Sequence, residues 1–203
     1  MAKLIYQRTV VGYHGCDGAL AAGVLAGKRR LTLSANPYDW LGKGIYFWEH
    51  GPQRAYEWAI DQARLAGTNV EPAVLGAKIN LGVCLDLLDT ANTSLLGRRY
   101  LQFRRFMRDN GVPMPQNRDG RGSRQGDKVL RFLDCAVIDF AARAVAETEG
   151  IKYQTVRGVF LEGKPAFPGS KIAAKSHIQI AVRDDSCVLQ FFRPEPDSYG
   201  SDG

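Results

Sequence analysis

Histidine is scarce in this chain: His14, His50 and His177 are the only three. No HExxH pattern accompanies them. The four cysteines, Cys16, Cys84, Cys135 and Cys187, lie at least 51 residues apart, with no CxxC. This excludes the common zinc and redox spacings and predicts reduced, mostly buried thiols and no metal. No apolar run approaches the roughly 18 residues that a membrane span needs. Residues 1–8 lack the apolar stretch of a signal peptide, so a cytoplasmic chain with no membrane contact is expected. Neither GxxxxGK[ST] nor GxGxxG occurs, which removes the usual phosphate-cradling loops. Internal repeats are absent too. The polar end, residues 195–203, is expected to be a flexible tail.

What is present is an ordinary globular composition. The chain has 203 residues, 45% hydrophobic and 24% charged, enough for one core and one domain over residues 1–194. The net charge of +6 is unevenly spread. Residues 98–131 hold nine arginines and one lysine against Asp109, Asp119 and Asp127, and the remainder is close to neutral. Such a local cluster suits contact with a polyanion better than general solubility.

Residues 9–15 are β-branched and end in glycine, which predicts a strand. Asp17 is placed to cap a short helix over Gly18–Leu25 that Gly27 ends. Residues 31–34 read as a short strand, 35–43 as a loop rich in Asn, Pro, Asp and Gly, and 44–48 as a strand. Pro52 opens a helix to Ala66, with Ala55, Trp58, Ala59, Gln62 and Leu65 on one face. Residues 73–87 read as strand. Residues 92–149 read as a helical insertion, broken by a loop at 111–126. Residues 156–161, 176–183 and 188–193 return to strand. Strands, then helices, then strands predict an α+β fold with an antiparallel or mixed sheet.

Three segments carry chemistry: Tyr13-His14-Gly15, Gly42-Lys43-Gly44-Ile45-Tyr46-Phe47, and Ser176-His177-Ile178-Gln179-Ile180-Ala181-Val182. In this order they resemble the catalytic domain of the ADP-ribosyltransferases, in the branch of poly(ADP-ribose) polymerases and diphtheria toxin, known for its His–Tyr–Glu triad. The likeness covers residues 13–59 well and 175–193 more loosely. The central helices fall outside it.

The resemblance implies an ADP-ribosyltransferase-like split sheet and NAD as substrate, with no metal. It implies that His14 holds the adenosine ribose, that the Gly15 backbone pairs with the nicotinamide amide, and that Tyr46 stacks on its ring. Ser34, Gly44 and the loop before the glycine turn would complete the NAD site; Asp39 in that loop has no assigned partner. The family's late-strand glutamate falls on Gln179, with Glu162 as an alternative carboxylate. An amide in place of the carboxylate costs about 1–2 kcal/mol, ten- to thirtyfold in rate, which favours one transfer over chain elongation. His177, two residues earlier, is a candidate general base for the acceptor. The family's helix Ser and Tyr fall on Arg54 and Glu57, leaving Tyr56 or Trp58 to stack.

The implied activity is a mono-ADP-ribosyltransferase that releases nicotinamide, as a toxin or phage-defence effector with a neutralising antitoxin. Alternatives are a non-catalytic NAD or ADP-ribose-binding module, an NAD glycohydrolase, and a plain nucleic-acid-binding protein. Arg98, Arg99, Arg104, Arg105 and Arg108, with Tyr100, Phe103 and Phe106 between them, are the expected surface for the acceptor, whether RNA, DNA or an acidic protein.

Overall fold

The computed structural model describes residues 6–67, 70–121 and 123–200. Seven strands form one hydrogen-bonded sheet: β1 (Tyr6–Asp17), β2 (Ile45–Glu49), β3 (Pro72–Gly82), β4 (Cys84–Asp86), β5 (Thr155–Phe160), β6 (His177–Val182) and β7 (Val188–Phe192), in the order β4-β5-β6-β2-β1-β3-β7. Only β4 and β5 run parallel; the other described pairs are antiparallel. The four helices are α1 (Gly18–Leu25), α2 (Pro52–Ala66), α3 (Thr90–Asp109) and α4 (Phe132–Glu149). The fold is therefore α+β with a mixed sheet.

Pairing within the sheet is uneven. β1 and β3 stay in register from Thr9↔Asn80 to Asp17↔Pro72, and β2 and β6 from Ile45↔Val182 to Glu49↔Ile178. Between β1 and β2 the registered pairs are Gly12↔Glu49 and Tyr13↔Trp48 alone. This narrow seam joins two leaves. Across it Val10, Phe47, Ile79 and Ile180 meet in one cluster on the inner face. Gly12 is required there, because a Cβ would lie 2.8 Å from the Phe47 Cβ.

Helices cover the outer faces. α2 seats Ala55 against Trp48 and Val74. α4 seats Ile138 against Leu41, Leu85, Val156 and Ala181, and α3 rests on α4 through Phe103, Met107 and Val137. α1 closes one end of the inner face with Ala21 and Val24 on Leu75. The inner face also holds ions. Arg157 Nε and Nη2 donate to Glu49 Oε2 and Oε1 at 2.5 and 2.9 Å, and Nη1 to Asp86 Oδ2 at 3.1 Å. All three side chains are buried.

Local codes act as the sequence predicts. The Ala19 N–H donates to Asp17 Oδ1, capping α1, and Gly27 follows it at φ +67°. α2 opens at Pro52 and closes at Gly67, φ +63°. On α2, Ala55 and Ala59 are buried, but Leu65 is 81% exposed and does not belong to the buried face. Residues 31–34 are not a strand: only Ser34 pairs, as a single bridge to Gly44. Leu31 packs on the α1 side of the core instead, and Leu33 faces outward. The chain end is docked where a loose tail was expected. Tyr199 lies 5.2 Å from Tyr56 and the Gly200 N–H donates to Gln53 Oε1, so an aromatic anchor offsets the polar composition; residues 201–203 lie outside the described residues. No helix among the described residues is long and apolar enough to cross a membrane.

Candidate active site

Past Tyr13↔Trp48 the strands β1 and β2 part, and His14 is the next residue along β1. Its Nδ1 lies 2.8 Å from the Tyr46 carbonyl. A carbonyl only accepts, so Nδ1 carries the proton and Nε2 the lone pair. Burial pushes the His14 pKa down, against the pull of that carbonyl bond. The ring is therefore neutral at pH 7 and offers Nε2 as an acceptor to a hydroxyl. A cavity of about 350 Å³ opens beside it, lined among others by His14, Asp17, Trp58, Ala59 and Gln62.

Gly15 lines the same cavity. A Cβ there would collide with the Ala55 carbonyl. Close packing of β1 on the α2 backbone is thus sufficient reason for the glycine.

Tyr46 ties down the glycine turn. Its hydroxyl donates to the Gly42 carbonyl at 2.7 Å and accepts from the Leu41 N–H at 3.0 Å. Burial first, and then Asp39, raise its pKa well above the ordinary phenol range, so it stays protonated. Gly42, at φ +75°, is boxed in by Asp139 and Arg183, and Arg183 Nη2 donates to Asp139 Oδ1 at 2.6 Å and to the Leu41 carbonyl at 3.1 Å. The Gly-Lys-Gly block is therefore held from β2, α4 and the end of β6 together. The Tyr46 ring packs on the outer cluster around Leu85, Val156 and Ala181.

Gln179 is 8% exposed and accepts a 2.6 Å hydrogen bond at Oε1 from Trp40 Nε1. An indole only donates, which fixes the amide orientation. Gln179 therefore keeps its Nε2 as a donor with no partner among the described residues. The Trp40 ring lies over Gly158, where a Cβ would come within 2.7 Å of it. From Trp40 a file of rings runs across the outer face: Phe160 at 5.2 Å, His177 stacked on Phe160 at 5.5 Å, Trp48 at 6.2 Å from His177, and Trp58 at 5.9 Å from Trp48. Trp48 is 4% exposed, and its Nε1 is buried with no partner among the described residues.

His177 Nδ1 donates to the Lys175 carbonyl at 2.7 Å, leaving Nε2 as the basic nitrogen. Its pKa is lowered, mainly by burial and less by Arg54; the Lys175 carbonyl, Glu162 and Glu57 oppose. A neutral imidazole with a free lone pair is a competent general base. Glu162 Oε2 receives Arg54 Nη2 at 2.9 Å, and Glu57 sits 3.5 Å from Arg54 Nη1. Both carboxylates are thus already paired with a cation.

The sheet sets His14, Tyr46 and Gln179 on three adjacent strands, β1, β2 and β6. Strand alternation turns His14 to the inner face with Gly12 and Phe47, and turns Tyr46, Trp48 and Gln179 outward. Ser34 and Asp39 form a polar turn: Ser34 Oγ donates to Asp39 Oδ2 at 2.5 Å and the Asn36 N–H to the same oxygen at 3.0 Å. That supplies the partner Asp39 lacked. Gly44 leaves no room for a side chain: a Cβ there would lie 2.9 Å from the Ala181 Cβ and 3.1 Å from the Val182 carbonyl oxygen. Tyr56 is not beside Tyr46; it packs with Tyr13, Trp48 and Tyr199. Of the arginines on α3, Arg99 is engaged by Glu149 at 3.0 Å, whereas Arg98, Arg104, Arg105 and Arg108 are exposed. Trp40 and Phe160 were not singled out by the sequence. The available signal was an indole inside a loop of Asn, Pro and Gly, where so large an apolar ring must find cover. Among the described residues no group of three or more His, Cys, Asp or Glu could hold a metal ion. No family model, curated protein or solved structure matches the chain.

Proposed function

We propose that this chain is an NAD-dependent mono-ADP-ribosyltransferase with an ADP-ribosyltransferase-like fold, passing ADP-ribose from NAD to a macromolecule and releasing nicotinamide. One observation carries the reading. The imidazole of His14 is locked onto the Tyr46 carbonyl where β1 and β2 part, and Gln179 lies on the strand next to β2. The residues that resemble the family's triad are far apart in sequence, yet they lie on three neighbouring strands, His14 toward the inner face and Tyr46 and Gln179 toward the outer.

The chemistry follows from the atoms. His14 Nε2 accepts from a ribose hydroxyl of NAD. The glycosidic C–N bond breaks, its electron pair leaves with neutral nicotinamide, and an oxocarbenium ion forms on the ribose. An acceptor nucleophile attacks that carbon and His177 Nε2 takes its proton. Trp48 Nε1, Gln179 Nε2 and Arg54 Nε are donors without acceptors, and NAD is rich in oxygen acceptors. Lacking a carboxylate at position 179, the reaction is slow and stops after one unit. A growth-inhibiting or phage-defence role in the cytoplasm, with a neutralising partner, belongs to the same proposal.

One observation favours a second reading, a non-catalytic NAD or ADP-ribose-binding module. Trp40 occupies the only acceptor atom of Gln179, so the amide offers nothing negative to an oxocarbenium ion. Incubation with labelled NAD and a lysate separates the two. Label entering RNA, DNA or protein, and lost with Tyr46→Ala and Gln179→Ala, is the expected result. Free nicotinamide without transferred label means an NAD glycohydrolase. Neither product, with NAD bound, means the binding module.

A further inference from the structure

The strongest surface feature away from the cleft is the solvent face of α3. Tyr100, Phe103 and Met107 turn toward α4. The opposite stripe, spaced by three and four residues, is Arg98, Leu101, Gln102, Arg105, Phe106 and Asp109. Leu101 is 55% and Phe106 53% exposed, and the stripe holds a shallow groove of about 300 Å³. Such large apolar exposure beside cations on one helix face is unusual for a surface with no partner.

Much of the neighbouring positive charge is already paired, although Arg118 and Arg121 also have no acidic partner within 4 Å among the described residues. In the following loop and at the start of α4, Arg124 pairs with Asp127, Lys128 with Asp119 and Arg131 with Asp134. On α3, Arg99 is spent on Glu149 and Arg108 on Asp109. Arg98, Arg104 and Arg105 have no acidic partner within 4 Å among the described residues and are exposed. Two helical turns, about 10.5 Å, separate Arg98 from Arg105.

We infer that this face of α3 docks single-stranded RNA. Arg98 and Arg105 on the stripe receive phosphates, Arg104 lies off it on the flank, and Phe106, half exposed beside Phe140, stacks a base. Duplex nucleic acid keeps its bases paired and offers Phe106 no face. An acidic peptide satisfies the arginines but leaves Phe106 and Leu101 without a matched surface. RNA is favoured over DNA by two polar groups in the groove. Gln102 gives its Oε1 to Arg99 and keeps an amide donor, while Asp109 is an acceptor. A 2′-hydroxyl both donates and accepts, and deoxyribose lacks it. The inference is independent of ADP-ribosyl transfer; if transfer holds, the bound strand gives the acceptor class.

The test is fluorescence anisotropy with a mixed-sequence 16-nucleotide RNA across a salt series, without NAD. Its outcome therefore does not depend on turnover. Two phosphate contacts give a slope of log K against log salt of about −1.4. Arg105→Gln lowers the slope by about 0.7, and Phe106→Ala weakens binding about tenfold with the slope unchanged. The same sequence as DNA binds more weakly. Arg98→Gln lowers the slope by the same amount as Arg105→Gln, so either single variant serves if the other does not fold. Salt-independent binding, or affinity untouched by the arginine and Phe106 variants, overturns the inference. Equal affinity for the RNA duplex or the DNA strand, or binding of polyglutamate and not RNA, does so too.

Discussion

The two faces of strands β2, β5 and β6 are built by opposite rules. On the inner face every charged group is answered: Arg157 spends Nε and both terminal nitrogens on Glu49 and Asp86. On the outer face of these strands, and on α2 packed against them, donors stand unanswered. Trp48 Nε1 and Arg54 Nε are buried without partners, and Gln179 Nε2 has none among the described residues. A buried unmade hydrogen bond costs about 1–3 kcal/mol. The inner polar groups therefore serve the fold, while the outer ones are unpaired donors that the fold alone does not satisfy.

The hardest test of that contrast is Arg157→Met. It leaves Glu49 and Asp86 buried without a cation, and stability falls by roughly 3–5 kcal/mol in urea denaturation. A loss under about 1 kcal/mol would show that the ions are not a closed internal network. Next is Gln179→Glu. One carboxylate oxygen keeps the Trp40 bond and the other takes the place of the Nε2 donor. Nicotinamide release rises by about tenfold or more, in kcat rather than KM. An unchanged rate would make the outer face a binding surface only. The smallest effect is with pH. His14 and His177 are held neutral by burial, below the ordinary 6.5. As pH falls through 6.5 the unfolded chain takes up protons that the folded chain refuses, so stability declines on the acid side and levels off above it. A fall of a few degrees in Tm between pH 7 and 5 is expected, shallower in His14→Gln. A rise over that range would mean that the imidazoles are charged in the fold.

The elements whose limits were legible have short-range codes. Asp17, Gly27 and Pro52 mark their helices by capping and backbone geometry alone, and those limits match the structure. Residues 31–34 have strand-forming side chains, but a strand needs a neighbour, and only Ser34 has one, at Gly44. At the candidate site, His14, Tyr46 and Gln179 were visible as residue types in a pattern. Their faces, tautomer and amide orientation were not, because these depend on partners far along the chain. Trp40 reverses the expected polarity of Gln179 from 139 positions away. Arg99 looked like its neighbours on α3 until Glu149, 50 residues on, claimed it.

The position of β6 in the sheet has a consequence in time. β2 is made first, and its partner from His177 to Val182 follows only after more than a hundred further residues. Until then the edge of β2 is open, Trp40 has no Gln179 to hold, and the ring file across the outer face is missing His177. A chain that stops before β6 therefore carries the glycine turn and His14 without the strand that holds Trp40 and completes the ring file.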